Sequence, residues 1–468
     1  MPPKKSISST LAALTRKAEK EPRHRFRSVY RLIDLQALHE AFSNLKRSGA
    51  PGVDGVTVAE YEKNLSENLS SLHRRLVEKR YRALPVKRRY IPKSGGKLRP
   101  LGIPSLEDKI VQYAAARILE AIYEADFSDR SVPYRKGKPG ARESSYQLSR
   151  ELYGGTYRWV VEADIRSFFD EVDHAWMLQM LEQRIDDNAM LGLVAKWLRA
   201  GVLEESGETI QATLDGTPQG GIISPILANI YLHYVLDLWI EKVVRPRSKG
   251  RVLFMRYADD IIVCFERRDD AQEYLAKLPA RLAKFHLRLA EEKSSLVKFN
   301  RWESDDSGRF TFVGFDFYWA RSMRNPNHKI VKRRTNKKKY RESLQKLKSW
   351  IKASRSLPLK QILASLRRRL RGYWNYYCVI GNSHMTWRYY SAVKQLVFKW
   401  LNRRSQRKSF TWASFKHRWL EVWAIPGPRT VELGPKQRER ELPLDGGNGY
   451  GRMGERTKRS MGNPCATT

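Results

Sequence analysis

The chain has 468 residues, with 88 Lys and Arg against 50 Asp and Glu, for a formal net charge of +38. That excess is more than solubility requires and implies a polyanionic partner, nucleic acid in the simplest case, with an anionic membrane surface as the rival. No apolar run is long enough to span a bilayer, and the first residues, MPPKKSISST, lack an apolar signal core.

The length allows two or more domains around a large core. Cys264, Cys378 and Cys465 are far apart and form no CxxC pair. This argues against a disulfide framework or zinc site and for a reducing cytosol. The most apolar region, Gly220 to Ile240, is broken by Pro225, Asn229, His233 and Asp237.

Residues 1–45 are basic with helical periodicity, and GAPGVDGVT is rich in turn formers. A helix is expected from about Val58 to Glu78. ALPVKRRYIPKSGGKLRPLGIPS reads as two strands joined by a Gly-Gly turn. Leu106 to Tyr123 is helical in period, and YRWVVEADIRSFFDEVDH reads as a strand and then a turn into helix. Alternation puts Trp159, Val161, Ala163 and Ile165 on one face, and Val160, Glu162 and Asp164 on the other, which is expected to front a cleft. In DGTPQGGIISPILANIYLHYVLDLWIEKVV a Gly-rich loop leads into a helix, with Ser224 as its expected cap and Pro225 in its first turn.

Residues 251–266, RVLFMRYADDIIVCFE, set Asp259 and Asp260 side by side in what reads as a hairpin core. Adjacent carboxylates repel and are costly to bury, unless a divalent cation lies between them. Mg²⁺ is hard, octahedral and selects carboxylate oxygens. Two such ions clamp the attacking and leaving oxygens of a phosphoryl transfer, and Asp164 is the third carboxylate such a site needs. An exposed polar turn would not need LFM before it and IIV after it. An amphipathic helix from Asp269 to Phe285 and a strand pair in TFVGFDFYW follow.

Beyond about residue 325 the composition becomes strongly basic. Leu359, Ile362, Leu363, Leu366 and Leu370 keep helical spacing, flanked by Arg367, Arg368, Arg369 and Arg371. A second helix, Tyr389 to Arg403, repeats the pattern. Arginines interleave with aromatics in RRRLRGYWNYY, WRYY and KWLNRRSQRKSFTW. Such segments bind RNA through phosphate contacts and stacking. Arg367, Arg368, Arg371, Arg403 and Arg404 are the candidates, whereas Trp374, Tyr376 and Tyr377 are expected in the core. From Pro426 the chain is rich in Gly, Arg and Glu and is expected to be disordered.

ADIRSFFD, GTPQGGIISPILANIYL and RYADDIIV occur in the order and spacing of a reverse transcriptase palm. From about Leu11 to Ile425 the chain resembles group II intron-encoded reverse transcriptase/maturases. GAPGVDGVT matches their N-terminal extension, KSGGKLRPLGIPSLEDKIVQ their fingers, FVGFDFYW the palm-closing strands and LRGYWNYY the thumb or maturase domain.

The resemblance implies an α+β right-hand polymerase followed by a helical thumb. It divides into an N-terminal extension (1–45), fingers (46–157), palm (158–322), helical RNA-binding domain (323–425) and tail (426–468). It implies two Mg²⁺ ions held by Asp164, Asp259, Asp260 and the Ile165 carbonyl. Phe169 would exclude a ribose 2′-hydroxyl, with Phe168 the alternative. Gln219 would contact nucleotide and template, and Arg99 with Lys93 or Lys97 would grip the triphosphate. Lys293 would assist the leaving group. SVPYRKGKPGARESSYQL follows the family loosely, so Tyr134, Arg135 and Arg142 are unassigned template candidates.

The implied partners are group II intron RNA, an RNA template with DNA primer, deoxynucleoside triphosphates, and target DNA reached through the ribonucleoprotein. No membrane partner is expected, and the expected setting is cytoplasmic, the bacterial cytosol or nucleoid, with an organelle as the alternative. The tail has no histidine and one cysteine, so no HNH endonuclease is expected. A splicing maturase without polymerase activity and a domesticated reverse transcriptase of a defence or CRISPR-linked system are the rival readings.

Overall fold

The structure, a computed structural model, describes residues 7–92, 98–204, 209–210, 216, 220–303, 308–322, 325–404 and 409–430. Its strands are β1 (Val86–Pro92), β2 (Leu98–Ile103), β3 (Trp159–Asp164), β4 (Val202–Leu203), β5 (Thr209–Ile210), β6 (Val252–Tyr257), β7 (Asp260–Phe265), β8 (Ser295–Lys298), β9 (Phe310–Phe312), β10 (Phe315–Arg321) and β11 (Lys329–Thr335). They form three sheets in the orders β2-β1-β4-β5, β6-β7-β3-β8 and β11-β10-β9.

The central sheet, β6-β7-β3-β8, is antiparallel throughout. Val161, Ala163, Ile165, Phe254, Ile261, Val263 and Phe265 face the largest core, built with helices Leu106–Tyr123 and Ser224–Leu232. The other face is expected to front a cleft. At its Val160 end it is core instead: Val160, Leu253, Met255, Ile262 and Cys264 meet Phe299, Phe310, Phe312, Phe315 and Phe317. The β9-β10-β11 sheet supplies most of that apolar cover, so only the Glu162–Asp164 end stays open.

The expected 58–78 helix breaks into Val58–Glu62 and Leu65–Val77. Thr57 and Glu60 form a reciprocal cap on the first. Helix Ser224–Leu232 begins at Ser224, which therefore lies within the first turn and is not the cap. The basic segment from residue 325 opens with β11, and its first helix, Lys337–Ser354, starts only after Asn336 accepts from the Lys338 and Lys339 N–H groups. The β11 residues alternate on a hairpin with β10, a pattern their charge conceals.

Helices Leu359–Tyr377, Ser383–Leu401 and Trp412–His417 complete a separate core of Ile351, Ile362, Leu363, Leu366, Leu370, Val393, Val397, Phe415 and Trp419. Truncating fully buried Leu366 to Ala would cost about 2–5 kcal/mol. Among the described residues, no helix is long and apolar enough to cross a membrane.

Candidate active site

The β6–β7 hairpin reverses through Ala258, whose φ of 57° lies in the left-handed region. That turn lifts Asp259 to the hairpin tip and starts β7 at Asp260. In the β3–β7 ladder Asp164 stands directly opposite Asp260. Side chains of such pairs share a face, and like charges so placed repel. Glu162, two residues earlier on β3, shares that face and accepts the Thr311 N–H at 2.8 Å.

The electrostatics reflect this crowding. Burial, reinforced by Asp259, Glu162 and Asp164, pushes the Asp260 carboxyl up to about 7, although the Val313 N–H donates to it at 2.9 Å. Burial also raises Asp259, against the pull of Arg99 and Lys293. Burial lifts Glu162 to about 6. The Lys293 ammonium pairs with Asp164 Oδ2, and that bond raises the lysine's pKa.

Among the described residues, no three His, Cys, Asp or Glu side chains are gathered as ligands of one ion. Asp164 is turned to Lys293 and Asp260 to Val313. The donor chemistry still fits a hard divalent cation. Asp164, Asp259, Asp260 and Glu162 lie at one end of the central sheet, and burial disfavours the ionised forms of Asp259, Asp260 and Glu162 until positive charge arrives. Ile165 follows Asp164 directly, its side chain in the main core and its backbone bridged to Leu289.

Past Ser167, which has a φ of 41°, Phe168 and Phe169 take different roles in packing. Phe168 is buried against Tyr231, whereas Phe169 is only partly covered. Gly216 lies against the Phe169 and Asp170 backbone, and a Cβ there would meet the Asp170 carbonyl at 3.1 Å. Gly220 has a φ of 116°, and its Cβ would lie 2.5 Å from the Gly102 carbonyl of β2. Only glycine permits that approach. His174 and Gln112 also hold this loop, through Gly216 O at 2.7 Å and Ile222 N at 2.9 Å. Arg99 is exposed on β2 with its charge acting on Asp259. Lys93, Lys97 and Gln219 lie outside the described residues.

Of the loosely matching block, Arg135 is buried, paired with Glu124 and donating to the Ser128 and Ser131 carbonyls. Arg142 donates to the Asn375 carbonyl at 2.8 Å, tying this block to the helical region. Both are engaged in structure, whereas Tyr134 is exposed beside Asp259.

In the helical region, Arg368 and Arg371 are exposed, whereas Arg367 is partly buried and donates to the Trp423 carbonyl. Arg403 lies over Trp400 and exposed Arg404 donates to the Leu357 carbonyl at 2.9 Å. Trp374 is buried and donates to the Pro426 carbonyl.

Sequence reasoning missed Arg256, which is wholly buried and bound to Asp237. A charged residue inside VLFMRYADD was the available signal. Glu162, which alternation along β3 places on the face of Asp164, was not singled out as a site residue.

Residues 91–317 match the family described as Reverse transcriptase (RNA-dependent DNA polymerase), and residues 340–419 match Group II intron, maturase-specific domain. The chain is 36% identical over 291 residues to Protein YkfC of Escherichia coli (strain K12), covering 55% of this chain and 75% of that protein. It is 28% identical over 438 residues to Group II intron-encoded protein LtrA of Lactococcus lactis subsp. cremoris, covering 76% and 71%. A third relative, the Putative COX1/OXI3 intron 1 protein of Saccharomyces cerevisiae, is 31% identical over 225 residues, 48% of this chain and 26% of that protein. With both family matches in their expected order along one chain, the protein belongs to the group II intron reverse transcriptase/maturase family.

Proposed function

We infer that Asp164, Asp259 and Asp260 form the polymerase centre of this reverse transcriptase, and that they work with two Mg²⁺ ions. The observation that carries the reading is the direct opposition of Asp164 and Asp260 across β3 and β7, with Asp259 at the adjoining tip. The Ile165 carbonyl would add a fourth oxygen. When bound, the ions supply charge stabilisation at the transferring phosphorus and activate the attacking primer hydroxyl.

The remaining roles fall to the chain's own side chains. Arg99, with Lys93 or Lys97, grips the triphosphate, the arginine through its planar fork. Phe169, at the partly open position, closes the space a 2′-hydroxyl would need. Gln219 contacts nucleotide and template. Lys293, kept in its ammonium form beside Asp164, holds a proton for the departing pyrophosphate. Arg368, Arg371, Arg403 and Arg404 offer positive charge to structured intron RNA.

On this reading the substrates are deoxynucleoside triphosphates on an RNA template with a DNA primer. Target DNA is reached through the ribonucleoprotein, and the setting is the bacterial cytosol or nucleoid. The palm extends through β11, giving 158–335 in place of 158–322, because β11 pairs with β10 along its length. The test is primer extension on an RNA template with Mg²⁺. The wild-type chain should extend and Asp164→Asn should not, and equal extension by both would remove Asp164 from the centre.

A further inference from the structure

We propose that Tyr376, in helix Leu359–Tyr377, is a positioning residue for Asp260, acting through the backbone of Val313. This rests on the reading of Asp260 as part of the polymerase centre. Val313 lies in the turn between β9 and β10 with a φ of 43°. A β-branched residue in that region is strained, and the conformation persists only where its surroundings over-determine it.

Here both polar groups of the residue are held, from opposite sides. The Val313 N–H donates to Asp260 Oδ2 at 2.9 Å. Its carbonyl accepts the Tyr376 hydroxyl at 2.8 Å. The next residues reinforce the clamp. Gly314 has a φ of 79°, and a Cβ there would lie 3.3 Å from the Tyr377 hydroxyl. Phe315 stacks on the Tyr376 ring, with centroids 5.7 Å apart and planes 8° apart.

The consequence follows from peptide geometry. Without the hydroxyl, the Val313 carbonyl loses a fixed partner and the residue can relax toward negative φ. That relaxation swings the N–H away from Asp260. The carboxylate then loses this hydrogen-bond donor and the rotamer it imposes. Partners one shell out commonly orient metal-binding carboxylates in this way. The maturase-matching helices thus reach the polymerase centre through a single strained residue, Val313, whose two flanking peptide groups contact Asp260 and Tyr376.

The test uses the full chain carrying Tyr376→Phe, which keeps the ring and removes one oxygen, with Asp260→Asn in parallel. Amide hydrogen exchange is read at Val313 in metal-free protein, because that N–H is the bond in question. Exchange there should be about tenfold faster in Tyr376→Phe, with helix Leu359–Tyr377 unchanged. The kcat for single-nucleotide addition should fall by about tenfold, with KM for the nucleotide within about twofold. Affinity for structured RNA should not change. Wild-type kcat and unchanged Val313 exchange in Tyr376→Phe, while Asp260→Asn is inactive, would overturn the proposal alone. An active Asp260→Asn would overturn the underlying assignment instead.

Discussion

The guanidinium of Arg256 grips Asp237 through Nε at 2.8 Å and Nη2 at 2.6 Å, and both side chains are essentially inaccessible to solvent. The pair lies on the helix-covered side of the central sheet, behind the Ala258–Asp259 turn. Arg256 Nη1 also reaches Asn229 Oδ1 at 3.3 Å and the carbonyl of left-handed Ala258 at 3.4 Å. Asn229 in turn donates to the Pro133 carbonyl at 2.8 Å. A buried guanidinium, carboxylate and amide thus brace the backbone immediately before Asp259.

Removing one member should cost far more than removing both. Arg256→Met leaves Asp237 charged and unpaired, a loss of about 3–5 kcal/mol. Adding Asp237→Leu removes the orphaned charge and should recover most of that loss. Urea unfolding of the single and double variants checks this. A double variant less stable than the single one would show that the pair is not the source of the cost.

Asp260 sets the pH dependence of the metal-free protein. Burial and its carboxylate neighbours hold its folded pKa at about 7, above the unfolded value near 3.9. Stability from the protonated form is therefore full below about pH 4 and is lost as pH rises through about 7. Asp260→Asn carries no charge at any pH. In chelator it should raise the unfolding midpoint by several degrees near pH 8 and by less near pH 5. A midpoint lowered equally at both would show that the ionised carboxylate is not the destabilising form.

The two adjacent phenylalanines should separate selectivity from stability. Phe169→Ala opens space beside the nucleotide and should reduce discrimination against ribonucleotides by about tenfold or more. Phe168→Ala empties a core position and should cost about 3–5 kcal/mol with little change in sugar preference. The ratio of deoxy- to ribonucleotide incorporation, measured with thermal unfolding, distinguishes them. An unchanged ratio in active Phe169→Ala would move the gate elsewhere.

The arginines of helix Leu359–Tyr377 should divide likewise. Arg368→Gln with Arg371→Gln should weaken intron RNA binding and flatten its salt dependence by up to about one slope unit for each phosphate no longer neutralised. Arg367→Gln removes a donor from the Trp423 carbonyl and should instead lower stability by about 1–3 kcal/mol. An unaltered slope in the double variant would make those two arginines a solvated face.

Much of this site could be read in the sequence because its chemistry is local. Asp259 and Asp260 are conspicuous inside an apolar hairpin, and alternation along β3 carries Asp164 to the same sheet face. The supporting shell is not local. Asp237 was visible only as a break in an apolar run, nineteen residues before the arginine it neutralises. Val313 carries no sequence sign of its donor role, since that depends on φ alone. The Arg367 bond to the Trp423 carbonyl spans fifty-six residues and cannot be told from a solvated charge by helical period. β11 was concealed because its alternation is written in Lys and Arg.

On the proposed reading, the carboxylates of β3 and the β6–β7 hairpin perform the chemistry while the basic helices hold RNA. The most direct measurement is single-turnover primer extension on an RNA template by wild type and Asp259→Asn, with intron RNA affinity determined on the same preparations. Extension should fall by about 10²–10³-fold or more, with RNA affinity unchanged. Wild-type extension by Asp259→Asn, or parallel loss of both activities in folded protein, would contradict the account.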